Sequence, residues 1–393
     1  MSSKKVYFPG INALRFFAAS LVVLMHMKSN LTSVGLPTFV DLGIFSKGVI
    51  AVSFFFVLSG FLITYLLFDE HQKNRRVSVK AFYLRRIYRI WPLYFLIILI
   101  GILFYWFVAP KIGLDFDVEY EKSMALLLYI FFGANLMNSL YHVGGILHVT
   151  WSIAVEEQFY LIWAPVFKKF KNKVKQILWF TLFISTGVAT LNKINVFGLS
   201  EGWQLFLDTL QFHYMSLGGL MAYYYIHHKK SLLSLKVFSS GTIQIVLLVV
   251  LLAYLIFYQK TDWAEPILIL PQGLLFGWII LNVSVNEHTI LTLENKVLNH
   301  LGKVSYGIYM YHMIVVYALS FLTSKLVQPD QFEWYFMWIY AILALLLTVF
   351  VSTVSYNLFE KKLLIRGSKH SKRVIERDLK ERYEKLSMDA ANS

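Results

Sequence analysis

Two ionisable side chains interrupt the first apolar stretch of the sequence, Arg15 and His26, eleven residues apart. Eleven helical residues make about three turns, so both fall on nearly one face, separated by roughly 16 Å along the axis. An imidazole so placed can take a proton from an attacking hydroxyl. The plainer alternative is that Arg15 snorkels to one headgroup layer and His26 is interfacial. A second set, His148, Ser152, Glu156 and Tyr160, recurs every four residues and shares a helix face. The adjacent carboxylates Glu156 and Glu157 lie deep in an apolar stretch, and both cannot face lipid. At least one is paired or lines a cavity, either in a structural ion pair or as the group that orients a histidine.

Arg85, Arg86 and Arg89 precede an apolar run that begins at Ile90. Arg86 and Arg89 lie one turn apart where a helix would start, a place where guanidinium forks and the helix dipole favour phosphate. A basic block at a membrane boundary is also what orientation alone requires. Ser305, Tyr309 and His312 share one face of a later stretch, although tyrosines near span ends often serve as interfacial anchors. The Ser59-Gly60 step suits close helix approach rather than nucleophilic catalysis, since no glycine stands two residues before the serine. No phosphate-binding Gly-Lys loop, dinucleotide fingerprint or zinc-spaced His/Glu pair occurs.

These residues sit in a chain of 393 residues that is 57% hydrophobic and only 15% charged, with a mean hydropathy of +0.57. Such values exclude ordinary soluble domains and point to an integral membrane protein in contact with a lipid bilayer. The absence of cysteine excludes a disulfide scaffold, cysteine-ligated metal and a cysteinyl acyl-enzyme. The net charge of +14 lies in basic blocks between apolar runs, which fits a membrane surface and not nucleic acid. Ten stretches are long and apolar enough to span, or nearly so: 8–28, 48–68, 90–109, 148–167, 177–192, 206–226, 240–259, 264–283, 304–325 and 335–358. An eleventh, 123–141, would place the block from Lys168 to Lys175 on the wrong side. Keeping 110–147 re-entrant or outside puts 29 of the 37 Lys and Arg in cytoplasmic segments. The expected fold is therefore all-α and polytopic, with about ten transmembrane helices, a re-entrant or outer segment near 110–147 and both termini cytoplasmic. One membrane domain, 1–365, is followed by a charged cytoplasmic tail, 366–393, expected as a short surface helix or disordered. Arg15 and the missing small-x-small pattern argue for a retained first span over a cleaved leader. Composition alone leaves an enzyme and a transporter or flippase of a carbohydrate or anionic substrate nearly level.

Taken in order along the chain, the motifs resemble those of the acyltransferase-3 family of integral-membrane carbohydrate O-acyltransferases. The matching segments are Arg15-x10-His26, Phe55-Phe56-Val57-Leu58-Ser59-Gly60-Phe61, Arg86-x-x-Arg89 with Pro92 and Tyr94, and Trp151-Ser152 through Glu156-x-Gln158-Phe159-Tyr160. Gly302-x-x-Ser305-Tyr306-x-x-Tyr309-x-x-His312 and Ser355-Tyr356 with Glu360 complete the series. The sequence departs from the family pattern at Ala51-Val52-Ser53 and at Lys361. The resemblance implies transfer of an acyl group, usually acetyl, from cytoplasmic acyl-CoA to a carbohydrate hydroxyl on the outer side of a cell membrane, by default a bacterial inner membrane. It implies acetyl-CoA as co-substrate, no metal, and no fused extracellular esterase-like domain in this chain. On that reading the catalytic residues are His26, the base, Glu156, which fixes its tautomer, and Arg15, which lies along the coenzyme arm. Arg86 and Arg89, with Arg85, hold the coenzyme phosphates. His148, Ser152, Tyr160, Ser305, Tyr309 and His312 contact the acceptor. Direct transfer and a transient acyl-histidine both stay open.

Overall fold

A computed structural model describes residues 6–38, 43–113, 120–141, 143–258, 265–328 and 333–391. Among the described residues every regular element is helical. The chain opens with three long helices, α1 (Ile11–Ser33), α2 (Gly48–Asn74) and α3 (Val79–Leu103), the last extended by a π turn and a 3-10 turn to Ile112. Ser78 caps α3 by accepting from Ala81 N at 3.3 Å. Short helices follow, α4 (Lys122–Ile130), α5 (Ala134–Leu140) and α6 (Gly145–His148), before α7 (Thr150–Lys169) and α8 (Val174–Lys193). After α9 (Glu201–Thr209) and α10 (Phe212–His227) come two single-turn pieces, α11 (Lys229–Leu233) and α12 (Lys236–Ser239). The remainder is α13 (Gly241–Phe257), α14 (Glu265–Val285), α15 (Lys296–Lys303), α16 (Ser305–Leu326), α17 (Trp334–Ser355) and α18 (Lys361–Ala391).

Seven of these helices, among the described residues, are long and apolar enough to cross a membrane. The chain is thus an all-α polytopic membrane protein. The other three expected stretches are also helical but shorter or more polar: 148–167 in α6 and α7, 206–226 divided between α9 and α10, and 240–259 in the 17-residue α13. Leu210 and Gln211 leave helical geometry and break the second of these. The awkward stretch 123–141 is two short helices that break at Phe132, a non-glycine residue at φ 57°. Nine helical residues reach about 13 Å, well short of a bilayer core of about 30 Å. Gln158 of α7 holds the break, its Nε2 donating to Phe132 O at 2.8 Å and Asn135 Oδ1 at 2.9 Å. Residues 114–119 and 142 of the segment lie outside those described.

Close backbone contact locks the centre of the bundle. A Cβ on Gly60 of α2 would lie 1.9 Å from Met215 O of α10, and one on Gly218 would lie 1.9 Å from Val57 O. Only glycine lets α2 and α10 approach this far, which accounts for Gly60 and leaves Ser59 free for another task. At one end of the bundle the basic segments meet. Lys171 Nζ stands 3.3 Å from His71 Nε2, and Gly10 N donates to Glu294 Oε2 at 2.9 Å. The tail is a 31-residue helix, α18, packed along α3. Gly367, Ser371 and Val374 form its buried stripe, and Ser78 Oγ donates to Asp378 Oδ2 at 2.7 Å. This three- and four-residue rhythm is what turns so charged a sequence into a docked helix.

Candidate active site

Helices α1, α2, α3, α6, α7 and α16 bring the chemically active residues to two levels. α1 and α16 run one way and α7 the other, so residues late in α1 and in the first half of α16 meet residues early in α7. At one level stand His26 of α1, His148 of α6 and His312 of α16. The His26 ring centroid is 5.2 Å from that of His312 and 6.0 Å from that of His148. Ser152 Oγ and Tyr309 OH share a hydrogen bond of 2.6 Å beneath them, and the Tyr309 ring lies 5.9 Å from His312. His26 is half-buried, and the His148 side chain reaches the surface of the fold. His312 is fully buried.

At the second level stand Arg15 of α1, Arg86 and Arg89 of α3, and Glu156 and Tyr160 of α7. Arg15 lies within electrostatic reach of Arg89, Glu156, Tyr160 and Arg86, and Arg89 within reach of Arg86, Tyr160, Glu156 and Tyr306. Ser59 and Tyr160 both donate to Glu156 Oε1. The Arg86 guanidinium lies over the rings of Tyr160 and Phe82, at 5.6 and 5.7 Å. Among the described residues, none of Arg15, Arg86 and Arg89 has a carboxylate oxygen within 4.0 Å or a side-chain hydrogen bond, and Arg86 Nε is buried without a partner. Three partly buried guanidinium groups with no carboxylate in contact offer charge and donors of the kind an anion takes.

The levels revise several sequence expectations. Glu156 does not hold the His26 tautomer, because its carboxylate is bonded to Ser59 and Tyr160 in the arginine level. Two helical turns separate Glu156 from His148, a rise of about 12 Å that carries it away from the histidines. Tyr160 likewise binds Glu156. Arg85 is given to an ion pair with Glu70 at 2.7 Å, and Glu70 also accepts from Ser78 N at 2.7 Å. That pair fastens the turn between α2 and α3 and is separate from the Arg86/Arg89 pair. Ser305 is buried near the start of α16, and its hydroxyl has no hydrogen-bond partner among the described residues. His148 and His312 lie beside His26, and Tyr309, bonded to Ser152, adjoins His312.

Other residues take partners that the sequence left open. Ser59 was assigned to packing through its glycine neighbour, yet its hydroxyl serves Glu156. Glu157 accepts from Trp91 Nε1 at 2.9 Å through Oε2, while its buried Oε1 has no hydrogen-bond partner among the described residues. Tyr306 OH donates to Ile90 O at 2.8 Å and ties α16 to the α3 arginine segment. Glu360, at the end of the turn after α17, accepts from Ser355 Oγ at 3.0 Å and stands within reach of Arg89. Among the described residues no group of three or more His, Cys, Asp or Glu is placed to hold a metal ion.

Comparison with known proteins gives a consistent picture. The family model for the acyltransferase domain (Acyl_transf_3) matches residues 8–357. The chain is 26% identical over 382 residues to the peptidoglycan O-acetyltransferase OatA of Listeria monocytogenes, a match covering 92% of this chain and 56% of that protein. It is 24% identical over 388 residues to the O-acetyltransferase OatA of Staphylococcus aureus, covering 92% and 58%. With the putative peptidoglycan O-acetyltransferase YrhL of Bacillus subtilis it shares 25% identity over 393 residues, covering 95% and 58%. The chain therefore spans a little under three-fifths of the length of these curated relatives. No solved structure matches.

Proposed function

The chain belongs to the membrane acyltransferase family whose domain model spans residues 8–357, and on that premise we propose that it transfers an acetyl group from acetyl-CoA on the cytoplasmic side to a hydroxyl of a cell-wall glycan on the outer side. The observation that carries this reading is the set of Arg15, Arg86 and Arg89 with no carboxylate oxygen within 4.0 Å among the described residues, one level below the histidine cluster. A diphosphate supplies the charge and the acceptor oxygens those guanidinium groups lack. The end of the bundle where the basic segments meet is the cytoplasmic end by the positive-inside rule. A pantetheine arm then runs from Arg86 and Arg89 past Arg15 toward His26, about 16 Å along α1.

In the proposed reaction His26 accepts the proton of the acceptor hydroxyl as its oxygen attacks the thioester carbon. The C–S bond breaks as the tetrahedral intermediate collapses, and His26 returns the proton to the departing thiolate. The paired hydroxyls of Ser152 and Tyr309 lie beside the histidines and supply donors for the developing oxyanion or for the sugar. Glu156 does not touch the reacting atoms. It carries negative charge beside Arg15 and Arg89 and fixes Tyr160 against Arg86. The names of the relatives point to a peptidoglycan-type acceptor.

Release of free coenzyme A thiol tests the proposal cleanly, because the chain has no cysteine of its own. Purified protein in detergent should release thiol slowly from acetyl-CoA, and faster when a peptidoglycan-derived oligosaccharide is added. Absence of release with every acyl-CoA tried would overturn the reading and favour a transporter.

A further inference from the structure

His312 carries a chemical constraint that the reaction above does not use. Its Nδ1 lies 2.6 Å from the backbone oxygen of Tyr309. A carbonyl oxygen only accepts, so Nδ1 must carry the hydrogen, and in neutral His312 Nε2 is a bare lone pair. That Nε2 is buried and has no hydrogen-bond partner among the described residues. Such an acceptor is costly to leave empty in an apolar surround. The facing ring is His26, 5.2 Å away between centroids and tilted by 37°. The other titratable groups around the pair are His148 of α6 and Tyr309 of α16 itself, and Tyr309 OH is engaged with Ser152.

Resting on the acyltransferase reading, we propose that His312 is the positioning residue for His26. Its Tyr309-locked tautomer presents Nε2 to receive the second N–H of His26, directly or through one water. When His26 takes the acceptor proton on one nitrogen it becomes an imidazolium, and its other N–H needs an acceptor. His312 supplies that acceptor, which is the part a carboxylate plays in a Ser-His-Asp site. The pair is neutral before the proton arrives, so it holds no permanent charge beside the buried His312, as an unpaired carboxylate there would require. No bond to His312 forms or breaks; its Nδ1–H stays on the Tyr309 carbonyl throughout.

Isosteric substitutions separate this role from a purely structural one. Glutamine places a polar atom where histidine has Nε2, whereas asparagine places one where it has Nδ1. The proposal expects His312→Gln to keep about a tenth or more of wild-type kcat, and His312→Asn and His312→Ala to fall to about a hundredth or less. KM for acetyl-CoA should stay within about twofold in all three, and imidazole added to the His312→Ala protein should restore part of the lost rate. Thermal unfolding in detergent identifies any variant that fails to fold, in which case imidazole rescue of the remaining variants decides. His312→Asn matching or exceeding His312→Gln, with no imidazole rescue, would show that the Tyr309 bond is structural and would overturn the proposal. Failure of the wild type to turn over any acyl-CoA would remove the acyltransferase reading itself, and this proposal with it.

Discussion

Replacing Arg86 and Arg89 together by methionine should weaken acetyl-CoA binding sharply without weakening the fold. Each arginine that meets a phosphate makes charge-assisted hydrogen bonds worth about 1.5–3 kcal/mol. Two such losses amount to about 3–6 kcal/mol, and each 1.4 kcal/mol is tenfold in affinity. Both side chains are only partly buried, so solvent screening favours the lower end, an increase in Kd of about a hundredfold. The effect on stability should have the opposite sign to that of breaking a buried ion pair. Neither guanidinium has a carboxylate within 4.0 Å among the described residues, so no partner is orphaned. Glu156 keeps its bonds from Ser59 and Tyr160 and its neighbour Arg15, and the methionine stem still fills the space beside Phe82 and Tyr160. Ligand-free Tm should therefore hold or rise. Isothermal titration with acetyl-CoA and thermal unfolding on the same detergent preparation measure both quantities. A Kd within threefold of wild type, or a large fall in Tm accompanying the loss of binding, would refute the reasoning.

Three further outcomes follow from the geometry. Glu156→Gln keeps the hydrogen bonds from Ser59 and Tyr160 but removes the negative charge beside Arg15 and Arg89. It should lower kcat by about tenfold through arginine repositioning, and steady-state kinetics giving a fall of more than about a thousandfold would show Glu156 acting on the reacting atoms. Gly60→Val should abolish folded yield or depress Tm severely, because its Cβ would meet Met215 O at 1.9 Å; detergent-extracted yield by size-exclusion chromatography reads this out. Burial alone would raise the Glu294 carboxyl, but donors from Tyr7, Asn299 and Gly10 outweigh it and hold it below the ordinary carboxylate value. Its contribution is then present above the unfolded pKa and lost as pH falls through the lower folded value. Tm measured from neutral pH into that acid range should decline less steeply in Glu294→Gln than in wild type.

The extent to which the sequence foretold the structure differs by level. Hydropathy located the spanning stretches because burial in lipid is a property of a segment, independent of its neighbours. Charge balance argues against one continuous span at 123–141, since a full span there would reverse the Lys168–Lys175 block, and the segment is two short helices. Helical spacing placed Ser152 and His148 of one segment, and Tyr309 and His312 of another, on faces that do converge on His26. Which partner each side chain takes was less legible, because it depends on depth across antiparallel helices. Depth decides the pairing: α1 climbs from Arg15 to His26 while α7 descends from Ser152 to Tyr160, so Glu156 belongs nearer Arg15 than His26. Arg85 belongs to the turn between α2 and α3 because Glu70 lies one helix back across it, a pairing that spacing within α3 alone does not reveal. The tail was harder still, since its buried stripe of Gly367, Ser371 and Val374 is too weakly apolar to stand out in a charged sequence.

The central claim is that His26 performs the proton transfer above an arginine site that holds the donor. It is tested most directly by His26→Ala, measuring acetyl-CoA Kd and single-turnover release of coenzyme A thiol on the same sample. The account predicts a Kd within about twofold of wild type and a rate reduced by about a hundredfold or more. Wild-type turnover in the His26→Ala protein, with unchanged binding, would contradict it.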